Sequence, residues 1–521
     1  MQLKYDVGDR PKFSQTLVFA FQQMIAIMAA TLLVPILMST YAMSDGAKLS
    51  FDPAAALFGA GIGSIVYILF TRGKSPVFLG SSFTFLGAYE AVIGMNYGYW
   101  GVIIGVTLAG LVYAVIALII KLVGSGFVNK LMPAVIIGPI VALIGLSLSS
   151  TATNWMASNG GFTDKVTQTV DTTTGEILSQ SGVSSYSLLA ILVGVVTFLA
   201  IVLASVKGGK TVKLIPFIVG IGAGYVFALI LTLIGKAAGV ESMQILNFDA
   251  FKPIYENFSI TSIVDYPKFT ILKAFRVIDG GTAATQVLSV KSPAAIGNIA
   301  LTFVPIAVVE LAQHIADHKN LGSIINRDLI TNPGLDKTLC GDGFGSIIGG
   351  LFGGAANTTY GESIGCVAIT GNASIISIIT AAVGCMILSF FTPFVAVINS
   401  IPKCVMGGAC VALYGFIAVS GLQMLKKVDL GNNKNLFVVS AILVTGIGGL
   451  ALNFGTNPNT NGPLVTVTSL ATALIIGIIT NLVVNGGKMS SDEDAADPLS
   501  GSAKAMGNVE AEDTNAKKKK K

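Results

Sequence analysis

The chain has 521 residues, of which 53% are hydrophobic and 11% charged, and its mean hydropathy is +0.76. A soluble globular chain carries about 25% charged residues, so this composition excludes a fully water-solvated surface and points to lipid as the solvent. The net charge of +5 comes partly from the run Lys517 to Lys521, so it is no argument for a nucleic-acid partner.

The polar stretch Met1 to Phe13 is followed by an apolar run long enough to span a bilayer, so no cleavable signal peptide is expected. Membrane-length apolar runs recur near 15–38, 53–71, 76–95, 99–120, 129–148, 185–206 and 212–235, and then near 294–316, 343–354, 359–379, 380–400, 402–424, 435–453 and 463–484. That predicts an all-α polytopic membrane protein of fourteen spans, in which 343–354 is too short to cross alone. An even count puts both termini on one side. Most Lys and Arg fall in the tails and in every second connection, including Arg72, Lys74, Lys121, Lys207, Lys213, Arg327, Lys426 and Lys434. The positive-inside rule therefore predicts that both termini are cytoplasmic.

The five cysteines, Cys340, Cys366, Cys385, Cys404 and Cys410, show no CxxC spacing and are expected to be packing residues. Gly is abundant at 60 residues, as expected of membrane helices that pack through small side chains.

An internal repeat is visible. Pro133-Ala-Val-Ile-Ile-Gly138 and Pro402-Lys-Cys-Val-Met-Gly407 each open a span, and each is followed by a near-identical pentapeptide, Val141-Ala-Leu-Ile-Gly145 and Val411-Ala-Leu-Tyr-Gly415. These are the fifth and twelfth spans. Units seven helices apart have opposite topology, which predicts a 7+7 inverted repeat with a site at the repeat interface. The competing reading is chance similarity between Gly-rich apolar segments.

The third and tenth spans do not read as plain helices. Gly80-Ser-Ser-Phe-Thr-Phe85 is β-branched, aromatic and hydroxylated, and Asn357-Thr-Thr-Tyr-Gly-Glu-Ser-Ile-Gly365 is polar for membrane depth. Non-helical backbone survives in a bilayer only where protein or a cavity satisfies it, and a broken helix presents N–H groups that can bind ligand carbonyls. Re-entrant loops with a purely structural role are the alternative. Glu362 is the only charged residue between Asp342 and Lys403. An isolated intramembrane carboxylate marks a functional site, unless the span edge is misplaced and it snorkels to the surface.

The eighth span ends in Glu310-Leu-Ala-Gln-His-Ile-Ala-Asp-His318, which holds both histidines of the chain. Glu310, His314 and Asp317 share one helical stripe, and Gln313 and Asp317 an adjoining one. Such a stripe could relay a proton or hold a cation, with a solvated helix end as the plainer reading of Asp317 and His318. His314 and His318 lie at i, i+4 without an HExxH motif, so no metal site is expected. No nucleophile–base pair stands out either, which argues against an enzyme.

At these residues the sequence resembles the nucleobase/ascorbate transporter family, and within it the bacterial uracil permeases and uracil:proton symporters. The match is carried by Gln22-Gln-Met-Ile-Ala-Ile-Met-Ala-Ala-Thr-Leu-Leu-Val-Pro35, Leu79-Gly-Ser-Ser-Phe-Thr-Phe85, Ala312-Gln-His-Ile-Ala-Asp317, Gly353-Gly-Ala-Ala-Asn-Thr-Thr-Tyr-Gly-Glu-Ser-Ile-Gly365 and Leu413-Tyr-Gly-Phe416. The signature of an acidic or amide residue, then polar-x-Gly-x4-Thr, stands as Glu362-Ser-Ile-Gly-Cys-Val-Ala-Ile-Thr370.

The resemblance implies a core domain moving against a gate domain in an elevator-type cycle, with short antiparallel strands in spans 3 and 10. Its boundaries would be a cytoplasmic N-tail 1–13, core 14–126, gate 127–236, an extracytoplasmic connection 237–293, core 294–400, gate 401–486 and a cytoplasmic C-tail 487–521. It also implies import of uracil, or of xanthine or another purine, across the bacterial plasma membrane. Backbone N–H groups at Phe83 and Gly361 would meet pyrimidine carbonyls, and Glu362 would accept a ring N–H. Phe83, Tyr360, Ala30 and Ser82 would line the pocket with Gln313, and Tyr414 would reach in from the gate. Asp317, His314 and Glu362 would couple H+ or Na+, with no other cofactor, and a homodimer would form through the gate.

Two residues depart from the family pattern. The uracil relatives usually have Glu at the position of Gln313 and His at that of Gln23. Gln313 can hydrogen-bond a base but cannot take a proton, while Asp317 resembles the acidic residue of sodium-coupled vertebrate relatives. An anion transporter of the same seven-plus-seven fold is the rival from another class. It would want a basic residue or bare helix N-termini, whereas Glu362 is expected to face this pocket.

Overall fold

The computed structural model describes residues 3–43, 46–124, 132–157, 168–170, 177–180, 185–209, 212–256, 259–275, 293–426, 428–456 and 463–486. The expected C-tail, most of 276–293 and the Lys517 to Lys521 run lie outside the described residues.

The chain is mostly helical. In order, the elements are α1 (Phe13–Met38), α2 (Pro53–Phe70), β1 (Leu79–Ser81), α3 (Leu86–Gly94), α4 (Gly98–Val123), α5 (Ala134–Ser147), α6 (Ser149–Met156), β2 (Gln168–Val170) and β3 (Ile177–Gln180). They continue with α7 (Ser185–Lys207), α8 (Pro216–Ala238), α9 (Lys252–Tyr255), α10 (Thr270–Ala274), α11 (Pro293–Ile325), α12 (Leu335–Gly353), β4 (Asn357–Thr359), α13 (Gly361–Thr370) and α14 (Ile375–Leu388). The last are α15 (Thr392–Asn399), α16 (Lys403–Leu425), α17 (Asn433–Ile447), β5 (Leu452–Thr456), β6 (Pro463–Val467) and α18 (Ser469–Val484). Eight of the described helices are long and apolar enough to cross a membrane, counting α5 and α6 as one. The chain is a multi-pass membrane protein.

Local chemistry sets the ends. Asp52 caps α2 by accepting from the Ala54 N–H at 2.9 Å, with Pro53 in the first turn. Gly239, Gly354 and Gly371 stop α8, α12 and α13 in the left-handed region.

Close helix packing runs through glycine. A Cβ on Gly59 would meet Gly349, and one on Gly110 would lie 2.5 Å from the Gly343 carbonyl, so α12 fits tightly between α2 and α4. The repeat helices α5 and α16 also pack on each other, Gly138 against Gly421 and Leu425, and Gly145 against Tyr414 and Ala418. Rising numbers on one meet falling numbers on the other, so this pair is antiparallel.

The broken spans meet as a two-stranded antiparallel pair, Leu79 opposite Thr359, Gly80 opposite Thr358 and Ser81 opposite Asn357. Side chains satisfy its margins, as membrane depth demands. Ser64 Oγ accepts from Leu79 N–H at 2.8 Å, Tyr89 OH from Ala356 N–H at 2.7 Å, and Tyr360 OH donates to the Ser81 carbonyl at 2.7 Å. Asn357 donates to the Gly59 carbonyl at 2.7 Å and accepts at its own carbonyl from Ser346. Gly80 is obligatory here, because a Cβ would sit 2.3 Å from the Tyr360 ring.

Three sequence boundaries need correction. The apolar run 343–354 is the end of α12, which starts at Leu335 and carries Asp336, Lys337 and Asp342. Hydropathy missed the first half because Asp342 is fully buried on a partner, His314, rather than at a water-facing edge. Runs 359–379 and 380–400 are not two continuous spans: helix breaks at Gly371 and again before Thr392 give α13, α14 and the short α15. The β5–β6 hairpin, with Leu452 opposite Val467, was not expected in runs that look helical by hydropathy. The connecting segment is partly ordered on the core side: Lys268 N–H donates to Asp52 at 2.7 Å and Trp100 to the Ala274 carbonyl at 3.0 Å.

Candidate substrate-binding site

Each strand leads into a helix N-terminus, β1 into α3 and β4 into α13. α13 begins directly after β4, with Tyr360 as the cap residue and Gly361 in the first turn. Its first N–H groups have no intrahelical acceptor and carry the partial positive end of the dipole. Among the described residues neither the Phe83 nor the Gly361 N–H has an intramolecular partner. A cavity of about 330 Å³ adjoins them.

Its lining brings together Ser82, Phe83, Thr84, Gln313, Asp317, Thr358, Tyr360, Gly361 and Glu362. Seven of the expected residues (Phe83, Gln313, Gly361, Glu362, Tyr360, Ser82 and Asp317) are therefore in one place. Gly361 and Gly365 face open space, since a Cβ on either would meet nothing within 4 Å. Beyond them the cavity passes Phe416 and Ser420 of α16 and runs toward Lys213 and Asn320.

Three expected residues are elsewhere. Ala30 is buried but is not on the lining, and Ala26, one turn earlier, is. Tyr414 is also off the lining; its ring packs edge-on to Phe83 at 5.5 Å. His314 turns its back on the cavity. Its Nδ1 lies 2.7 Å from Asp342 Oδ2 and its Nε2 3.1 Å from Thr338 Oγ1, all buried. A helix has only one face toward a given cavity, and His314 sits between Gln313 and Asp317 in sequence but on another face.

His318 is buried too, so it is not a solvated helix end. Its Nδ1 lies 2.7 Å from the His314 carbonyl and its Nε2 2.6 Å from Tyr67 OH, which reaches Ser75. Asp317 accepts from Thr359 Oγ1 at 2.8 Å and so ties α11 to β4. Gln23 reaches Ser363 Oγ, which also accepts from Phe78 N–H at 3.0 Å, so it braces α1 against α13 rather than lining the cavity.

Two acidic groups carry more than the sequence reading gave them. Glu310 is 1% exposed, behind the strands, where the Ser82 hydroxyl approaches it at 3.3 Å. Asp342 anchors His314. For Glu310 the signal in the sequence is its place on one helical stripe with His314 and Asp317; Asp342 carries none.

The described residues contain no group of three or more His, Cys, Asp or Glu able to hold a metal ion. What the cavity offers is two carboxylates (Glu362 and Asp317), the Gln313 amide, free N–H groups and aromatic faces. That set can read a small planar molecule with alternating donors and acceptors.

Comparison with known proteins places the chain in a family. Residues 14–454 match the model of the Permease family. Uracil permease of Bacillus caldolyticus is 34% identical over 485 residues, covering 92% of this chain and 94% of its own. Uracil permease of Bacillus subtilis is 33% identical, covering 92% and 94%, and that of Escherichia coli 29%, covering 91% and 94%. Among solved structures, the transmembrane domain of the cyanobacterial bicarbonate transporter BicA superposes with a TM-score of 0.51 at 15% identity, covering 92% of this chain and 100% of that one. SLC26A9 superposes with a TM-score of 0.52 at 11% identity, covering 91% and 66%. These two likenesses concern the fold alone. The sequence relatives are transporters rather than enzymes, and the chain belongs to the Permease family.

Proposed function

We propose that this protein imports a nucleobase, uracil, across the plasma membrane of a bacterium. The observation that carries the reading is Glu362 beside the unpaired N–H groups of Phe83 and Gly361 on one cavity. Uracil presents ring N–H donors next to carbonyl acceptors. Glu362 accepts from a ring N–H, the two backbone N–H groups donate to carbonyls, and Phe83 and Tyr360 cover the ring faces. The names of the sequence relatives support the same substrate.

Movement follows an elevator scheme in this reading. The fourteen spans form two inverted sevens, supported by the antiparallel pairing of β1 with β4 and of α5 with α16. Helices α1–α4 and α11–α14 make the core that carries the base; α5–α8 and α16–α18 make the gate, through which two copies pair. With both termini cytoplasmic, the cavity running toward Lys213 is the inward-facing state and the Phe83–Tyr414 contact is the closed outer side. Asp317 and Glu362 couple the movement to H+ or Na+, and His314 positions Asp342 instead of facing the ion path.

The fold likeness to anion transporters suggests a second reading, which Glu362 on the cavity opposes. Competition in uptake separates the readings. Unlabelled uracil is expected to abolish uptake of labelled uracil, with xanthine and bicarbonate ineffective; failure of uracil to compete refutes the assignment.

A further inference from the structure

Behind the strand pair lies a buried carboxylate, Glu310, that base recognition does not use. Glu310 is 1% exposed, and it has no salt-bridge partner among the described residues. No Lys or Arg occurs in the stretches 75–120, 293–318 or 338–402 that supply the surrounding walls. The charged groups nearest it are other acids, Asp342 and Asp317. A carboxylate taken out of water without a counter-charge costs several kcal/mol, so this position demands a cation.

The Ser82 hydroxyl donates to Glu310 Oε2 at 3.3 Å. The hydroxyl-bearing Thr84 and Thr358, like Ser82 no more than 3% exposed, lie beside the same carboxyl. They come from both broken spans, while Glu310 comes from α11. The second carboxyl oxygen, Oε1, is buried with no hydrogen-bond partner among the described residues. A proton needs one oxygen, whereas a hard metal ion needs several converging ones. A single carboxylate with three neutral hydroxyls matches a monovalent ion better than Ca2+ or Mg2+, which draw on more carboxylates or keep their water.

We propose that Glu310, with Ser82, Thr84 and Thr358, forms a sodium-binding site behind the substrate cavity. This rests on the transport reading and deepens it by naming sodium as a coupling ion and giving it a site in addition to Asp317 and Glu362. Ser82, Thr84 and Thr358 also line the cavity, so the ion enters from the same vestibule as the base. Bound there, it ties α11 to the backbone on either side of Phe83 and Gly361. Sodium occupancy and base affinity are therefore linked, each raising the other by the same factor.

The test uses the purified full-length protein in nanodiscs without any nucleobase. Thermal unfolding is followed in NaCl and in choline chloride at equal ionic strength, at two pH values. Wild type is expected to gain a saturable rise in midpoint with Na+ alone, and Glu310→Gln to lose it; Thr84→Val is expected to right-shift the Na+ titration at least tenfold. If Glu310→Gln does not fold, Thr84→Val and Thr358→Val decide on their own. An unchanged midpoint for wild type in Na+, or a Na+ response preserved in the variants, overturns the proposal. A midpoint that follows pH and ignores Na+ assigns a proton to Glu310 and overturns it too. Because no base is present, these outcomes leave the uracil assignment to its own competition test.

Discussion

Glu362→Gln isolates the recognition chemistry with almost no change of shape. Glu362 lies in the first turn of α13, on the cavity, and is the only charged residue between Asp342 and Lys403. The amide keeps one oxygen acceptor but loses the charge, and its NH2 group opposes a ring N–H if it turns. A hydrogen bond to a charged acceptor contributes about 1.5–3 kcal/mol against about 1 kcal/mol for a neutral one. The difference, about 0.5–2 kcal/mol, corresponds to roughly a 2–30-fold loss of uracil affinity. Isothermal titration of the purified protein reads this directly, with the unfolding midpoint as the control for fold. Uracil affinity within twofold of wild type, in a variant of native stability, would refute the role given to Glu362.

Further expectations follow from other contacts. Gly80→Ala places a Cβ against the Tyr360 ring and should displace it, weakening uracil binding at least tenfold; native affinity would show that the strand register tolerates a side chain. Gly365→Val fills open space in the cavity and should raise the apparent KM for uracil without lowering the unfolding midpoint, and an unchanged KM would put the base elsewhere. His314→Leu leaves the buried Asp342 carboxyl without its hydrogen-bond partner and should destabilise by about 1–3 kcal/mol, read by denaturation in detergent; an unchanged stability would mean that Asp342 finds another partner. Asp317→Asn should reduce ion-driven accumulation of uracil in vesicles, and unaltered concentrative uptake would remove Asp317 from coupling.

The residues that sequence patterning located are those whose chemistry conflicts with their surroundings. Glu362 in an apolar run and the hydroxylated Gly80-Ser-Ser-Phe-Thr-Phe85 stretch both break the expectations for a lipid-facing helix, and both converge on the cavity. Residues whose polarity is internally satisfied left no such mark. Asp342 looked like a span edge because hydropathy cannot see the His314 ring that buries it, and so α12 was cut to half its length. His314 and Asp317 differ by three positions and shared a stripe on paper. Only the placement of α12 decides that one faces Asp342 and the other Thr359. Ala30 and Tyr414, expected from resemblance, lie a turn or a ring away from the lining, a distance set by helix packing. The β5–β6 hairpin escaped because short apolar β-branched runs carry the same composition as helix ends.

The measurement that bears most directly on the central claim is labelled-uracil uptake into proteoliposomes containing only this protein, with a proton gradient and a sodium gradient imposed separately. Transport of uracil above its external concentration is expected under an inward ion gradient, abolished when the gradient is collapsed. Absence of uracil accumulation under both gradients, in vesicles that take up a different substrate, would contradict the account.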